Sequence, residues 1–171
     1  MLIAVDTNVL LDQSLRDEDV LDALAVIRER LVGCRFIVTP TVLQELAWLA
    51  DNGETVEERK AASAALENLL NWNYEPLNVI PVGQGIVEQI GFKLRVAGCL
   101  PDDEENDASI IAEAALIGCA MLLSADRHLL EAPDHDGFRQ ILKECDVAGD
   151  SIVIAKPRAI VEKFFPRPRR R

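Results

Sequence analysis

Residues 2–8 read Leu-Ile-Ala-Val-Asp-Thr-Asn, so four apolar residues are followed directly by an acid and two polar residues. A short apolar run that ends in polar residues is typical of a strand buried inside a sheet. Four further runs of this kind occur along the chain, at residues 36–38, 78–82, 120–123 and 151–155. The pattern therefore predicts five short buried strands, the first of them at Leu2–Val5.

Helical patterns occupy the intervals between these runs. In the first interval, Val20, Leu24, Ile27 and Leu31 recur three and four positions apart, as on one face of a helix. Further helical stretches are predicted at residues 42–50, 56–72, 85–97, 106–117 and 158–164. Strands that alternate with helices form parallel sheets with helices packed on both faces. We therefore expect an α/β fold, a three-layer α/β/α sandwich with a central, mostly parallel sheet of about five strands.

The length of 171 residues and the 49% apolar composition suit one domain with its own core. Residues 1–165 are the expected domain, and residues 166–171, Pro-Arg-Pro-Arg-Arg-Arg, are expected to form a basic, disordered tail. The chain has 29 acidic and 18 basic residues; four of the basic ones lie in the tail, which leaves 14 in the rest. So acidic a body argues against diffuse electrostatic binding to nucleic acid, although carboxylates suit divalent cations.

The sequence predicts neither a membrane span nor a secretory signal. No uncharged stretch is longer than residues 114–125, which is shorter than the roughly 18–20 residues that cross a bilayer, and no basic region precedes Asp6. His128 and His135 have no cysteine at zinc-ligand spacing, so the sequence gives only weak support for a zinc site. The cysteines are widely spaced without a Cys-x-x-Cys pair, which favours reduced thiols and a cytoplasmic location with no membrane partner. They are Cys34, Cys99, Cys119 and Cys145.

Four acidic residues lie just after predicted strands or near the start of predicted helices, where parallel sheets bind ligands. Asp6 follows the first predicted strand and Asp126 the fourth. Glu45 lies one turn into the helix after the second strand, and Asp107 lies near the start of a later helix. Ligands bind beyond the carboxyl ends of parallel strands. We therefore expect these four carboxylates to converge at one edge of the sheet.

Each acid alone also suits a helix cap or a solvated helix face. Glu45 fits that interpretation least, because its helix is apolar nearly all round and a buried carboxylate is costly unless it is paired or bound to a cation. Four clustered carboxylates repel one another unless cations neutralise them. Oxygen donors suit Mg²⁺ or Mn²⁺, which activate water and stabilise the leaving oxygen of a phosphodiester. The residues thus predict phosphodiester hydrolysis.

The chain also resembles the PIN-domain nucleases, which include the ribonuclease toxins of toxin–antitoxin pairs. The resemblance rests on four runs in the same order along the chain. They are Ile-Ala-Val-Asp-Thr-Asn-Val-Leu-Leu (3–11), Thr-Pro-Thr-Val-Leu-Gln-Glu-Leu (39–46), Asn-Asp-Ala-Ser-Ile-Ile-Ala (106–112) and Leu-Leu-Ser-Ala-Asp-Arg-His-Leu-Leu (122–130).

The resemblance implies a ribonuclease that depends on Mg²⁺ or Mn²⁺ and cuts RNA. Asn8 and Ser124 match polar positions that support the metal ligands in the family, and Asp103, four residues before Asp107, is an extra acid at the rim or a helix cap. The toxin branch also implies an antitoxin protein as partner. The catalytic and metal-binding residues that correspond to the family pattern are Asp6, Glu45, Asp107 and Asp126.

Other functions remain open from the sequence. A receiver-like phosphotransfer domain would explain Lys156 after the fifth strand, but the third predicted strand lacks the acceptor aspartate. Dehalogenase-type phosphatases need a second aspartate where Asn8 stands. A non-catalytic RNA-binding or protein-interaction module of the same fold is another alternative. Large apolar residues on two helices also allow a homodimer; they are Trp48, Leu49, Leu66, Leu69, Leu70 and Trp72.

Overall fold

The structure, a computed structural model, describes residues 1–77 and 81–164. Within these ranges the strands form one sheet in the order β3-β2-β1-β4-β5, and every neighbouring pair is parallel. This confirms the predicted α/β fold with a parallel five-stranded sheet. The strands are β1 (Leu2–Val5), β2 (Arg35–Val38), β3 (Tyr74–Pro76), β4 (Met121–Leu123) and β5 (Val153–Ala155).

Helices connect the strands. Helix α5 packs along α6, α3 packs against α4, and α2 packs against α9. A short 3₁₀ helix, Ala132–Asp134, follows α7. The helices of the described residues are α1 (Thr7–Ser14), α2 (Glu18–Arg30), α3 (Pro40–Asn52), α4 (Val56–Asn68), α5 (Pro81–Val96), α6 (Glu105–Ile117), α7 (Arg127–Glu131), α8 (Phe138–Glu144) and α9 (Pro157–Phe164).

The central strand β1 explains why the molecule has three layers. Ile3, Ala4 and Val5 are all fully buried. Successive side chains of a strand point to opposite faces of the sheet. Both faces of β1 are therefore covered by helices, and an apolar run of this kind is what a strand buried on both faces requires.

The third strand differs from its prediction. Residues 78–80 lie outside the described residues, 81 and 82 already belong to α5, and the strand is Tyr74–Pro76. It pairs on one side with β2, an edge position that tolerates Pro76. Its main apolar contribution is Tyr74, which is buried against Phe36 and donates its hydroxyl to Gln13 Oε1 at 2.6 Å. One aromatic anchor in a polar, proline-containing segment does not give the apolar run on which the prediction relied.

Several other sequence predictions concern the surface and the end of the chain. The predicted tail lies outside the described residues, so the boundary after residue 165 stays a prediction. Across residues 1–77 and 81–164, no helix combines the length and apolarity needed to cross a bilayer. The four cysteines are free thiols. In the predicted dimer face, Leu69 is buried, whereas Trp48 and Leu70 are 59% and 74% exposed.

Candidate metal centre

The order of the strands marks one edge of the sheet as the place for a ligand. From β1 the chain proceeds outward through β2 and β3, and from β4 it proceeds the other way to β5. The switch point therefore lies between the carboxyl ends of β1 and β4, where open α/β sheets form a crevice. Asp6 follows β1 directly and Ser124 follows β4 directly.

Asp6 is held at this switch point by hydrogen bonds from three directions. It is only 3% exposed and caps α1, where Oδ1 accepts the Thr7 amide at 2.7 Å. Its other oxygen, Oδ2, accepts the fully buried Ser124 hydroxyl at 2.6 Å and also the Asn8 side-chain amide. These bonds fix the carboxylate between the two strand ends.

Asn8 and Ser124 also connect Asp6 to the start of α7. Asn8 Oδ1 accepts the Ala125 amide at 3.0 Å, and Ser124 Oγ accepts the Asp126 amide at 2.9 Å. Asp126 in turn caps α7, with Oδ1 accepting the His128 and Leu129 amides. Asn8 and Ser124 therefore position two of the predicted acids relative to each other.

Glu45 reaches the same region from α3. Its carboxylate is half-buried and accepts the Thr7 hydroxyl at Oε2 and the Asn106 side-chain amide, at 2.6 Å, at Oε1. Thr7 is the neighbour of Asp6, and Asn106 is the neighbour of Asp107. Glu45 is thereby tied to α1 and α6 at once.

Asp107, in the first turn of α6, completes the cluster. Burial, followed by the charges of Asp126, Asp6, Glu104 and Glu45 in that order, raises its pKa to about 8. Burial also raises the pKa of Asp6 to about 6, and the charges of Glu45 and Asp126 add to the shift. The charges of Glu45 and Asp126 therefore lie close enough to oppose the ionisation of both Asp6 and Asp107.

The sequence matches the family model of the PIN domain over residues 3–135. The chain belongs to the PIN-domain family. The matched range carries β1 to β4 and all four acids. Among curated proteins, no relative matches. Among solved structures, VapBC2 from Rickettsia felis bound to a DNA fragment from their promoter is similar in fold, with a TM-score of 0.62 and 12% identity over 91% of this chain and 98% of that chain.

The acid cluster of this PIN domain fits divalent cations. Across the described residues, none of its four carboxylates forms an ion pair with Lys or Arg. No cationic side chain therefore balances their negative charge, although two of the carboxylates lie where burial disfavours ionisation. An all-oxygen donor set at the switch point of the sheet suits Mg²⁺ or Mn²⁺.

Asp103 takes a different place from the one its spacing suggested. Helix α6 begins at Glu105 with Glu104 as its cap, so Asp103 lies before the helix and is exposed. The charge that Asp107 experiences from this segment comes from Glu104. Glu104 also lies 3.0 Å from His128 Nδ1.

Sequence reasoning missed four residues of this PIN-domain site. Thr7 and Asn106 donate to Glu45, and Glu104 and His128 contact each other beside Asp107. Each lies within three residues of a predicted acid in the sequence, and that proximity is the signal that could have found them. Their roles depend on side-chain directions set by α1, α6 and α7, which residue types alone do not give.

Two clefts adjoin the cluster. One, of about 510 Å³, runs along α3 beside Glu45 and is lined by Thr41, Gln44, Trp48, Leu49 and Asn106. The other, of about 710 Å³, lies beside His128, between the end of α5 and α7, with Arg95 and Arg127 among its lining residues. The first cleft thus opens directly onto Glu45 of the cluster, whereas the second opens beside His128.

The phosphotransfer alternatives have no support in this PIN domain. The segment that ends β3 reads Tyr74-Glu75-Pro76-Leu77 and carries no aspartate to accept a phosphoryl group. Glu75 is instead paired with Arg35 on the neighbouring strand, at the exposed edge. Among the residues that the structure describes at this edge, none is an aspartate placed to accept a phosphoryl group.

Proposed function

We propose that this PIN domain is an endoribonuclease that hydrolyses phosphodiester bonds with Mg²⁺ or Mn²⁺ bound by Asp6, Glu45, Asp107 and Asp126. The observation that carries the proposal is the convergence of these acids, from two strand ends and two helices, with the pKa of Asp107 raised to about 8. Carboxylates that lie close together without basic partners destabilise a fold unless they bind a cation.

The four acids and the two polar residues beside them have different roles in this proposal. Asp6 and Asp126 are held rigidly by helix caps and by Ser124, so they provide fixed oxygen donors. Glu45 and Asp107 lie on helices α3 and α6 and are only partly buried, so their carboxylates would contact a bound cation from the side of the site that is open to solvent. When bound, the divalent cations activate a water and stabilise the leaving oxygen of the phosphodiester. Asn8 and Ser124 act as positioning residues.

The cleft beside Glu45 supports single-stranded RNA as the substrate. Trp48 lines this cleft and is 59% exposed, so it offers a flat aromatic surface on which an unpaired base stacks. Gln44 and Asn106 add amide groups that hydrogen-bond base edges or sugar hydroxyls. A bound cation would attract the phosphate that the acidic cluster alone repels.

The assay for the proposal is cleavage of a single-stranded RNA by the purified protein with Mg²⁺ or Mn²⁺. We expect Asp6→Asn and Asp107→Asn to lower the cleavage rate at least 100-fold, because each removes a charged ligand. Asp22→Asn, at an exposed carboxylate on α2, is the matched control and should cleave like the parent. Equal rates in the parent and both site variants would overturn the assignment. RNA that is bound but not cut would favour the non-catalytic alternative.

We also propose that the protein acts as the toxin of a toxin–antitoxin pair. The support is the PIN-domain membership together with the likeness in fold to VapBC2 from Rickettsia felis. Induced expression in a bacterial host should arrest growth, and expression of Asp6→Asn should not. Growth that is unaffected by the parent protein, when it is produced in soluble form, would contradict a toxin role while leaving the nuclease assay to decide the activity.

The remaining partner and location predictions follow from the sequence. A homodimer through the face that includes Trp48 and Leu70 stays a prediction, supported by the exposure of both side chains. Light scattering of the purified protein measures it directly: a dimer mass would support this predicted homodimer, and a monomer mass would contradict it and leave Trp48 free to contact RNA. The cytoplasmic location also stays a prediction.

A further inference from the structure

Glu104, Asp107 and His128 bring three different side chains to one point at the rim of the acid cluster. One donor atom from each residue lies within 4.8 Å of the other two. Among the described residues, this is the group of three potential metal ligands that meets this distance. It shares Asp107 with the proposed nuclease centre but takes its other members from outside the four predicted acids.

Two separate elements build the group. Glu104 caps α6 and Asp107 lies one turn on, three residues later, so both project from the same end of that helix. His128 comes from α7, where its backbone amide donates to Asp126 Oδ1 at 2.6 Å. The N-terminal ends of α6 and α7 therefore bring the two carboxylates and the imidazole together.

The imidazole distinguishes this group from a simple cluster of acids. His128 Nδ1 lies 3.0 Å from Glu104 Oε1, a hydrogen-bond contact that brings a nitrogen donor and an oxygen donor together. The side chains of His128 and Glu104 are 30% and 34% exposed, and the 710 Å³ cleft that His128 lines provides an entry path. Imidazole nitrogen and carboxylate oxygen are both donors that Zn²⁺ accepts, and three protein ligands leave a fourth position open for water. Mg²⁺ prefers oxygen donors alone.

We propose that Glu104, Asp107 and His128 form a Zn²⁺ site that shares Asp107 with the acid cluster. Zinc binding depends on these three residues whether or not the protein cuts RNA. A second consequence rests on the proposed function. An ion held there engages Asp107, so Zn²⁺ inhibits cleavage that Mg²⁺ supports.

The binding test is calorimetric titration of the folded, full-length protein with Zn²⁺ alone. We expect His128→Ala and Glu104→Gln each to weaken zinc affinity at least tenfold, because each removes one of three ligands. His135→Ala and Glu105→Gln are matched controls: His135 is the other histidine and is exposed, and Glu105 is an exposed neighbour paired with Arg95. Both controls should bind zinc like the parent.

A second variant separates the two clusters. Asp6→Asn disrupts the four-acid set but leaves the zinc group intact, so it should keep zinc affinity within threefold of the parent. Circular dichroism on every variant establishes that the fold is retained. Zinc affinity that is unchanged in both His128→Ala and Glu104→Gln, or absent in the parent, would overturn the proposal.

The inhibition test compares cleavage rates in Mg²⁺ with and without added Zn²⁺. The ratio of the two rates should fall below about 0.1 in the parent and in His135→Ala, and should stay near 1 in His128→Ala. If the parent binds zinc but cuts no RNA, the zinc site stands and the proposed nuclease function fails. If the parent cuts RNA with Mg²⁺ but binds no zinc, the reverse holds.

Discussion

Asp6 and Asp126 each cap a helix with the same carboxylate that faces the acid cluster. Asp6 caps α1 and Asp126 caps α7, so the capping interpretation and the ligand interpretation of these residues hold together. A cap fixes a carboxylate at a helix start, where the backbone amides and the helix dipole favour negative charge. The fold thereby offsets part of the repulsion that four clustered acids create.

Asp107 gives the metal-free protein a stability that depends on pH. Its pKa is raised to about 8 and that of Asp6 to about 6, whereas the unfolded chain releases these protons near pH 4. Between about pH 4 and pH 8 the native state thus binds more protons than the unfolded state, and the free energy of unfolding falls as pH rises. We expect Asp107→Asn to be about 1–2 kcal/mol more stable than the parent at pH 8, a figure reduced for the partial exposure of Asp107.

Denaturant unfolding in EDTA at pH 5 and pH 8 measures this effect. The difference in stability between Asp107→Asn and the parent should be small at pH 5 and large at pH 8, while Asp22→Asn should show no such change. A difference that is the same at both pH values would contradict the crowding of charge at Asp107. Added Mg²⁺ should stabilise the parent more at pH 8 than at pH 5.

Ser124 is expected to matter for both stability and activity. It is fully buried, donates to Asp6 and accepts from the Asp126 amide. Ser124→Ala removes one of the three donors to the buried Asp6 carboxylate and leaves the Asp126 amide without its acceptor, so we expect a loss of about 1–3 kcal/mol. The cleavage rate should fall because kcat decreases, with a smaller change in KM, since Asp6 and Asp126 are no longer held in place relative to each other. Ser63→Ala, which removes a hydroxyl bonded to its own helix, is the control and should change both little. A Ser124→Ala protein with parental kcat would contradict the positioning role.

At the residue scale, the sequence identified the acids better than their supporting partners. Asp6 and Asp126 follow strands, and the geometry of a parallel sheet brings strand ends together without knowledge of side chains. Glu104 could not be distinguished from Asp103 in the same way. Which of two adjacent acids faces Asp107 depends on where α6 begins, and helix starts are uncertain by a residue or two from sequence.

Among the elements, the first turn of helix α3 is hydrogen-bonded to a carboxylate of helix α6. Thr39, the residue before α3, makes no side-chain cap in the helix start, and Glu113 of α6 instead accepts the Thr41 amide at 3.1 Å and the Thr41 hydroxyl at 2.9 Å. Glu113 is buried, burial raises its pKa, and the charge of Glu45 adds to the shift. This contact therefore links the two helices that carry Glu45 and Asp107.

Substitutions of Glu113 test that role. Glu113→Ala should cost about 1–3 kcal/mol, because the first turn of α3 loses its acceptor and a buried volume empties. Glu113→Gln retains an acceptor oxygen and should cost less than Glu113→Ala, with cleavage recovered in proportion. Glu67→Ala, at an exposed position on α4, is the control for unfolding and cleavage. A Glu113→Ala variant that unfolds and cleaves like the parent would contradict the contact.

Element positions followed from the sequence wherever apolar residues were consecutive. The strands β1, β2 and β4 lie within one residue of their predicted bounds, since residues buried on both faces must be apolar throughout. The prediction of the edge strand β3 was wrong because this strand pairs with only one neighbour and needs few apolar residues. The Leu77 amide donates to the Val38 carbonyl, and Tyr74 alone anchors the strand in the core. Sequence periodicity does not detect a strand that depends on a single buried ring.

On the scale of the whole molecule, the acidity of the chain has a partial explanation. Its net charge is −11, and four of the acids form the cluster that we assign to divalent cations. The rest of the acidic surface does not help RNA to bind. Basic groups near the two clefts are few, and Arg95 and Arg127 are already paired with Glu105 and Glu131. RNA affinity should therefore depend strongly on the bound cation and on the cationic residues of the tail.

Deletion of residues 166–171 tests the contribution of the tail. These residues include four arginines, and each phosphate that an arginine neutralises releases counterions from RNA. In an Asp6→Asn background, which prevents cleavage, the deletion should weaken binding of a single-stranded RNA and reduce the slope of log affinity against log salt by up to about 3. Fluorescence anisotropy between about 50 and 200 mM salt measures both quantities. Replacement of the four arginines by lysine preserves the charge and should preserve the slope, whereas replacement by glutamine should behave like the deletion. An unchanged slope in the deletion variant would limit the tail to a solubilising end and leave RNA recognition to the clefts around the acid cluster.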